Sequence, residues 1–318
     1  LIAPINLYPY LITRLYNCQP LRIPQKYYLL YAADSRRFLP QPAKLYYNAG
    51  MTRLSSPKTP ATTPAIQARH HKSKRNGIAG NPSFYPDGRL ISSTDLVDVV
   101  RGISGNKVLL GISGKDSLAM WLYLRERKVE IIPYFLYTVP NMSFDDEMLE
   151  YYEKFFKTKI YRLPHPFFYQ MLINGEYMAP DAAVRVSAMD LWHFDWNDVE
   201  NILAEDNRLP ANYFSAIGYR AADSLGRWSF IELKGTLGLK KRHYYFAIWD
   251  WNLAQTLGII ERYNCKLSRS YQIYGSTGDG FFYRDIVLLR DKSPQDYKKV
   301  LEWFPLLEAE LFRYEQVK

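Results

Sequence analysis

Cysteine is scarce in this 318-residue chain, which holds only Cys18 and Cys265. Two thiols supply neither a CxxC…CxxC zinc site, nor a cysteine-ligated iron–sulfur cluster, nor a disulfide framework, so zinc and iron–sulfur cofactors are excluded. Long hydrophobic runs are missing as well. No apolar stretch approaches the ~20 residues that cross a bilayer. The N-terminal apolar stretches are broken by Pro4, Pro9, Arg14, Pro20 and Arg22, which leaves no continuous apolar centre for a secretory or transit leader. These absences point to a cytoplasmic protein with no membrane attachment.

Acidic residues are nearly absent from the first quarter of the chain. Residues 1–80 hold 12 Lys and Arg against the single acid Asp34, leaving 29 of the 41 basic and 31 of the 32 acidic residues for 81–318. The net charge of +9 therefore belongs to the N-terminal segment. Methionine is missing there too: the chain begins at Leu1 and its first Met is Met51. Residues 1–50 are accordingly expected to be either upstream sequence, with translation starting at Met51, or part of a precursor. Residues 51–85, rich in Ser, Thr, Pro and basic side chains, have little to bury and read as a disordered tail. Their cluster Arg69–Arg75 (RHHKSKR) offers nucleic acid an electrostatic foothold, although such runs are more often just solvated. His70 and His71 are too few for a metal site.

What is abundant is apolar and aromatic material, 47% and 16% of residues, enough for a full core. Residues 93–103 carry a Ser/Thr cap before apolar positions at helical spacing. Residues 107–112 read as a buried strand, 117–127 as a helix, 130–137 as a second strand, 144–156 as an acid-started amphipathic helix and 159–163 as a third strand. A helix over 197–205, a strand near 211–217 and a turn over 218–227 follow. Strands alternating with helices in units of this length define an α/β fold with a doubly wound, mostly parallel sheet. This nucleotide-binding type of domain is expected over 86–241. Residues 242–318, dominated by aromatics and ending in a helical stretch over 293–315, read as a C-terminal subdomain packed on it. No repeat recurs at a fixed period.

Two turns carry the chemistry. The first, Gly111-Ile-Ser-Gly-Lys-Asp-Ser117, joins a strand to a helix at the place where an open parallel sheet presents backbone N–H groups to an anion. Gly111 and Gly114 permit close approach, Lys115 adds positive charge, and Ser113 and Ser117 add hydroxyls. The spacing is neither that of a Walker P-loop nor that of a dinucleotide fingerprint. The second turn, Gly218-Tyr-Arg-Ala-Ala-Asp-Ser-Leu-Gly-Arg227, follows another strand. Arg220 and Arg227 present planar forks suited to phosphate or sulfate oxygens, Asp223 is placed to orient an arginine, and Ser224 to cap the next turn. A surface Arg–Asp cluster is the plain alternative.

GISGKDS resembles the PP-loop, SGGxDS, of the ATP pyrophosphatase and phosphoadenylyl-sulfate (PAPS) reductase superfamily. Ile112 stands at its first serine, Ser113 at its first glycine, and Gly114, Asp116 and Ser117 match. GYRAADSLGR resembles the second anion-binding turn of the PAPS reductase family, GxRxx[DE]SxxR. Phe246-Ala-Ile-Trp-Asp-Trp-Asn252 is similar to that family's P-[IL]-x-D-W segment, with Ala247 at the proline. The resemblance covers about residues 105–290 and implies an adenine nucleotide alpha hydrolase-like fold.

It further implies an adenine nucleotide, ATP or PAPS, held by Gly111, Ser113, Gly114, Lys115, Asp116, Ser117, Thr138, Arg220, Ser224 and Arg227. Lys115, Ser117 and Arg220 would act in catalysis, and Asp116 with Asp279 would hold Mg²⁺. Tyr274 is a further pocket candidate.

Two reactions are compatible. Adenylation of an unidentified acceptor at the α-phosphate, with release of pyrophosphate, needs no cysteine. Sulfonucleotide reduction, with a thioredoxin-like donor, needs an accessible thiolate, and the family's C-terminal Glu-Cys-Gly-(Leu/Ile)-His is absent here. A nucleotide-binding module without catalysis, or a cluster-free accessory of nucleic-acid modification encoded by a phage or mobile element, stays open beside them.

Overall fold

The computed structural model describes residues 81–189, 191, 193–239, 243–269, 271 and 283–316. Residues 1–80, with the basic cluster at 69–75, and the stretch holding Tyr274 and Asp279 lie outside them. Among the described residues there are eleven α-helices and one six-stranded sheet.

The sheet begins with β1 (Lys107–Ile112), in which Val108, Leu109, Leu110 and Ile112 are all buried. Burial on both faces is what a near-continuous apolar run implies for a central parallel strand. β2 (Glu130–Tyr137) lies alongside, with Leu110 opposite Pro133 and Gly111 opposite Tyr134. β3 (Tyr161–Pro164) pairs with β2 from Tyr134 onward, so Pro133, which has no N–H to give, precedes that ladder. On the other side of β1 lies β4 (Phe214–Ala216), then β6 (Tyr244–Tyr245) and β5 (Leu237–Gly238), giving the order β3-β2-β1-β4-β6-β5. Every pair is parallel except β5 with β6. The strand that opens the aromatic region thus belongs to this sheet, and the boundary expected at 242 separates two strands, β5 and β6, that pair with each other.

Helix α1 (Ser93–Ser104) precedes β1, and α2 (Lys115–Glu126), α3 (Ser143–Phe156), α4 (Pro166–Ile173), α5 (Pro180–Ser187) and α6 (Trp196–Asp206) lie between β1 and β4. α7 (Leu225–Lys234), α8 (Leu253–Arg262), α9 (Tyr283–Lys292), α10 (Pro294–Trp303) and α11 (Leu307–Gln316) follow. α2 is buried through eight consecutive residues, Ser117–Leu124, as befits a helix apolar on all sides. Trp121 stacks on Phe156 of α3 with ring centroids 3.8 Å apart, and Tyr123 meets Trp251 edge-on just before α8. The helical stretch expected over 293–315 is two helices, because Pro305 has no N–H to continue α10 and restricts Phe304 before it.

Residues 81–85, placed in the tail by the sequence, are packed on the fold. Phe84 bridges Leu90, and Ser83 is fully buried with its Oγ accepting from Leu237 N at 3.1 Å. Gly235 makes that seat: its φ is +87°, and a Cβ there would lie 2.5 Å from Ser83 Oγ. No helix among the described residues is long and apolar enough to cross a membrane.

Candidate functional site

The strand order reverses beside β1, with β2 and β3 on one side and β4 on the other. In an open α/β sheet the crevice beyond the carboxyl ends of the two strands at such a reversal is where ligands bind. GISGKDS leaves β1 there and GYRAADSLGR leaves β4, so two turns about a hundred residues apart in sequence meet at the switch point.

In the first turn, Ser117 occupies the third position of α2 and reaches back. Its Oγ accepts from Ser113 N at 2.9 Å and Gly114 N at 3.0 Å and donates to Gly114 O at 2.8 Å. Gly114, the N-cap, has no side chain to return the bond. Lys115 N donates to the Tyr271 hydroxyl at 3.1 Å. Gly111 is required by its neighbour strand, since a Cβ would sit 3.0 Å from the Tyr134 ring.

A chain of ion pairs joins the turns. Lys115 Nζ lies 2.9 Å from Asp116 Oδ2, and Arg220 Nε lies 2.9 Å from Asp116 Oδ1. The Arg220 Nε–H is not aligned for a hydrogen bond, so that second contact is one of charge. Arg220 also bonds to Asp223, which in turn bonds to Arg227. Arg220 is only 3% exposed. Gly218 brings the second turn this close: a Cβ there would stand 3.2 Å from the Asp116 carbonyl carbon and 3.3 Å from Ser117 N.

Ser224 caps α7, its Oγ accepting from Arg227 N at 3.1 Å, and the Arg227 guanidinium rests on the Tyr219 ring at 4.7 Å. The residues brought together are therefore Ser113, Gly114, Lys115, Asp116, Ser117, Arg220 and Arg227, with Asp223 bridging both arginines. Thr138 follows β2 at the same edge of the sheet but makes no hydrogen bond to either turn.

The structure bears on the magnesium expectation at Asp116 and gives the DW segment and Cys265 their surroundings. Asp116 has both oxygens against cations, which does not fit a magnesium ligand, and Asp279 lies outside the described residues. No metal-ligating cluster of three His, Cys, Asp or Glu occurs among the described residues. The DW segment holds the fold together: Asp250 accepts from both the backbone N and the hydroxyl of Ser93 at the start of α1, and Trp249 Nε1 donates to Ile91 O at 2.9 Å. Cys265 is buried, and burial pushes its thiol up to about 11 even though a hydrogen bond with Tyr151 pulls the other way. It is thus a thiol, not a thiolate, near neutral pH.

Beyond β2 and β3 lies a small recess lined in part by Phe135, Tyr137, Met142, Asp145, Asp146 and Arg162. Asp145 keeps a narrow opening to solvent, yet its carboxyl is pushed to about 8 by burial first, then by the charges of Asp146 and Asp296. Asp296 is also pushed up by burial, but hydrogen bonds from Ser143, Ser293 and Lys299 outweigh it and hold that carboxyl low.

Gly218 as a packing glycine and Tyr271 were not singled out by sequence, and Asp223, expected to orient one arginine, holds both Arg220 and Arg227. Each acts on a residue far away in the chain or on two partners at once, so no local spacing announces it. No protein-family model matches the chain, and no curated protein aligns with it significantly.

Proposed function

We propose that this chain is a PP-loop protein of the ATP pyrophosphatase and PAPS reductase kind. It would hold the phosphates of an adenine nucleotide between GISGKDS and GYRAADSLGR and adenylate an acceptor, with release of pyrophosphate. The observation that carries the reading is the meeting of these two turns at the strand-order reversal, tied through Asp116 and Arg220 at 2.9 Å. A helix N-terminus and three cations, Lys115, Arg220 and Arg227, lie together where the turns meet, a suitable setting for a polyanion.

On this reading the α2 amides and Lys115 stabilise charge on the departing pyrophosphate. Arg220 and Arg227 fix the outer anionic groups, and Ser117 keeps the turn in shape. No step is routed through magnesium, because Asp116 is committed to its two cations. The reductase alternative is weakened by the burial of Cys265. Binding without catalysis has its own support: every one of the three cations is already paired with Asp116 or Asp223.

Calorimetric titration of the full chain with ATP, adenylyl sulfate and PAPS, with and without Mg²⁺, followed by nucleotide analysis, tests this reading. ATP preference with cleavage between the α- and β-phosphates supports adenylation. Binding without cleavage, with acceptors supplied, supports the non-catalytic module. No binding of any of the three sinks the assignment.

A further inference from the structure

We propose that the Tyr271 hydroxyl is a built-in competitor for the anion at the first turn of α2, so that a ligand must displace it; this rests on reading that turn as an anion site. The first N–H groups of α2 belong to Lys115, Asp116 and Ser117, and a helix leaves such groups without internal acceptors. Those of Asp116 and Ser117 find no hydrogen-bond acceptor among the described residues. That of Lys115 donates to Tyr271, 156 residues away in sequence, at 3.1 Å.

This bond is not part of the local capping, which Ser117 Oγ performs for Ser113 N and Gly114 N. One N–H serves one good acceptor at a time. An oxyanion that engages the whole turn therefore has to replace the phenol. A cation lies alongside: the Arg220 guanidinium, 3% exposed, is held between Asp116 and Asp223, and its Nε–H, 2.9 Å from Asp116 Oδ1, is not aligned to donate to it.

The competition sets specificity. A phenol oxygen is a neutral acceptor, whereas hydrogen bonds to an ionised phosphate or sulfate oxygen are shorter and roughly twice as strong. A charged oxygen displaces Tyr271 readily, and a neutral hydroxyl or carbonyl gains little over it. Tyr271 thereby biases the turn toward ligands that bring formal negative charge and lowers the affinity of all of them.

The test uses the full chain and Tyr271→Phe, which keeps the ring and removes only the hydroxyl. Both are titrated with pyrophosphate by calorimetry, and exchange of the Lys115 amide with solvent is followed by NMR in the ligand-free proteins. The expected result is tighter pyrophosphate binding by Tyr271→Phe, about threefold to tenfold for one hydrogen bond relieved of competition, with faster Lys115 amide exchange. Equal or weaker binding by the variant, or unchanged exchange, overturns the competition while leaving the anion site standing. Failure of both proteins to bind pyrophosphate overturns the competition together with the site.

Discussion

The turns after β1 and β4 carry the same kinds of residue, yet the helices they open are held in opposite ways. α2 buries Ser117–Leu124 without interruption. α7 buries Ile231 alone and leaves Leu225 78%, Trp228 49% and Leu233 75% exposed. The first turn is thus fixed by packing, and the second is fixed to the first by Gly218 and the Arg220 ion pairs. The second turn is also held by packing, with Tyr219 stacked on Phe246 at 5.0 Å and Ala221 N donating to Trp249 O at 2.8 Å, and the charged groups that would grip a ligand are the same groups that tie the two turns together.

The largest effects should come from breaking what each turn depends on. Arg220→Ala leaves Asp116 and Asp223 without their shared cation. Removing one partner of a largely buried ion pair costs on the order of 3 kcal/mol, so urea unfolding should shift by about that amount and nucleotide binding should be lost. Arg220→Lys should also impair binding, because a point charge cannot span two carboxylates as a fork does. Unchanged binding in both variants would remove Arg220 from the site.

Next in size is a contrast between two glycines of the second turn. Gly218→Ala drives a methyl against the backbone of Asp116 and Ser117, with an overpacking cost of about 1–3 kcal/mol. Gly226 lies in α7 with nothing closer than Ser224 Oγ at 3.9 Å, so Gly226→Ala should stabilise by about 0.5–1 kcal/mol through helix propensity. Thermal melts of the two variants should move in opposite directions.

The recess beside the site gives a pH test. Folding raises the Asp145 carboxyl from 3.8 to about 8. The folded chain therefore holds a proton that the unfolded chain has released across that window, and stability contributed at low pH is lost as pH rises through it. Asp145→Asn should flatten this fall. Its melting temperature should exceed that of the unsubstituted protein at about pH 9, with the gap shrinking toward about pH 5, and parallel profiles would refute the assignment.

The smallest effect belongs to the exposed face of α7. Leu233→Gln should change stability by no more than about 0.5 kcal/mol, whereas Leu122→Ala in α2 should cost about 2–5 kcal/mol. Equal losses in urea unfolding would mean that α7 is covered in solution.

Much of the fold was legible because its signals are local. The apolar run of β1, the Ser/Thr start of α1 and the acid-started stripe of α3 each declare themselves within a dozen residues. Only the first three residues of α7 fell in the turn expected over 218–227, and its exposed leucines and tryptophan give no stripe facing a core. β5 and β6 are two residues each and draw their pairing from neighbours, so no alternation announces them. The DW segment gives no local sign of its partner: Asp250 accepts from Ser93 at the start of α1, 157 residues away.

By itself, then, the sequence determined the alternation of strands and helices, the two Gly-, Ser- and Arg-bearing turns, and the lack of thiols for cluster or zinc chemistry, since these depend on residue type and short spacing. Only the tertiary structure decided that β1 and β4 are neighbours, and with that everything long-range. Arg220 pairs with Asp116, Gly218 packs on Ser117, and Tyr271 accepts from Lys115 N, because strand order, which no short stretch encodes, sets which turns meet.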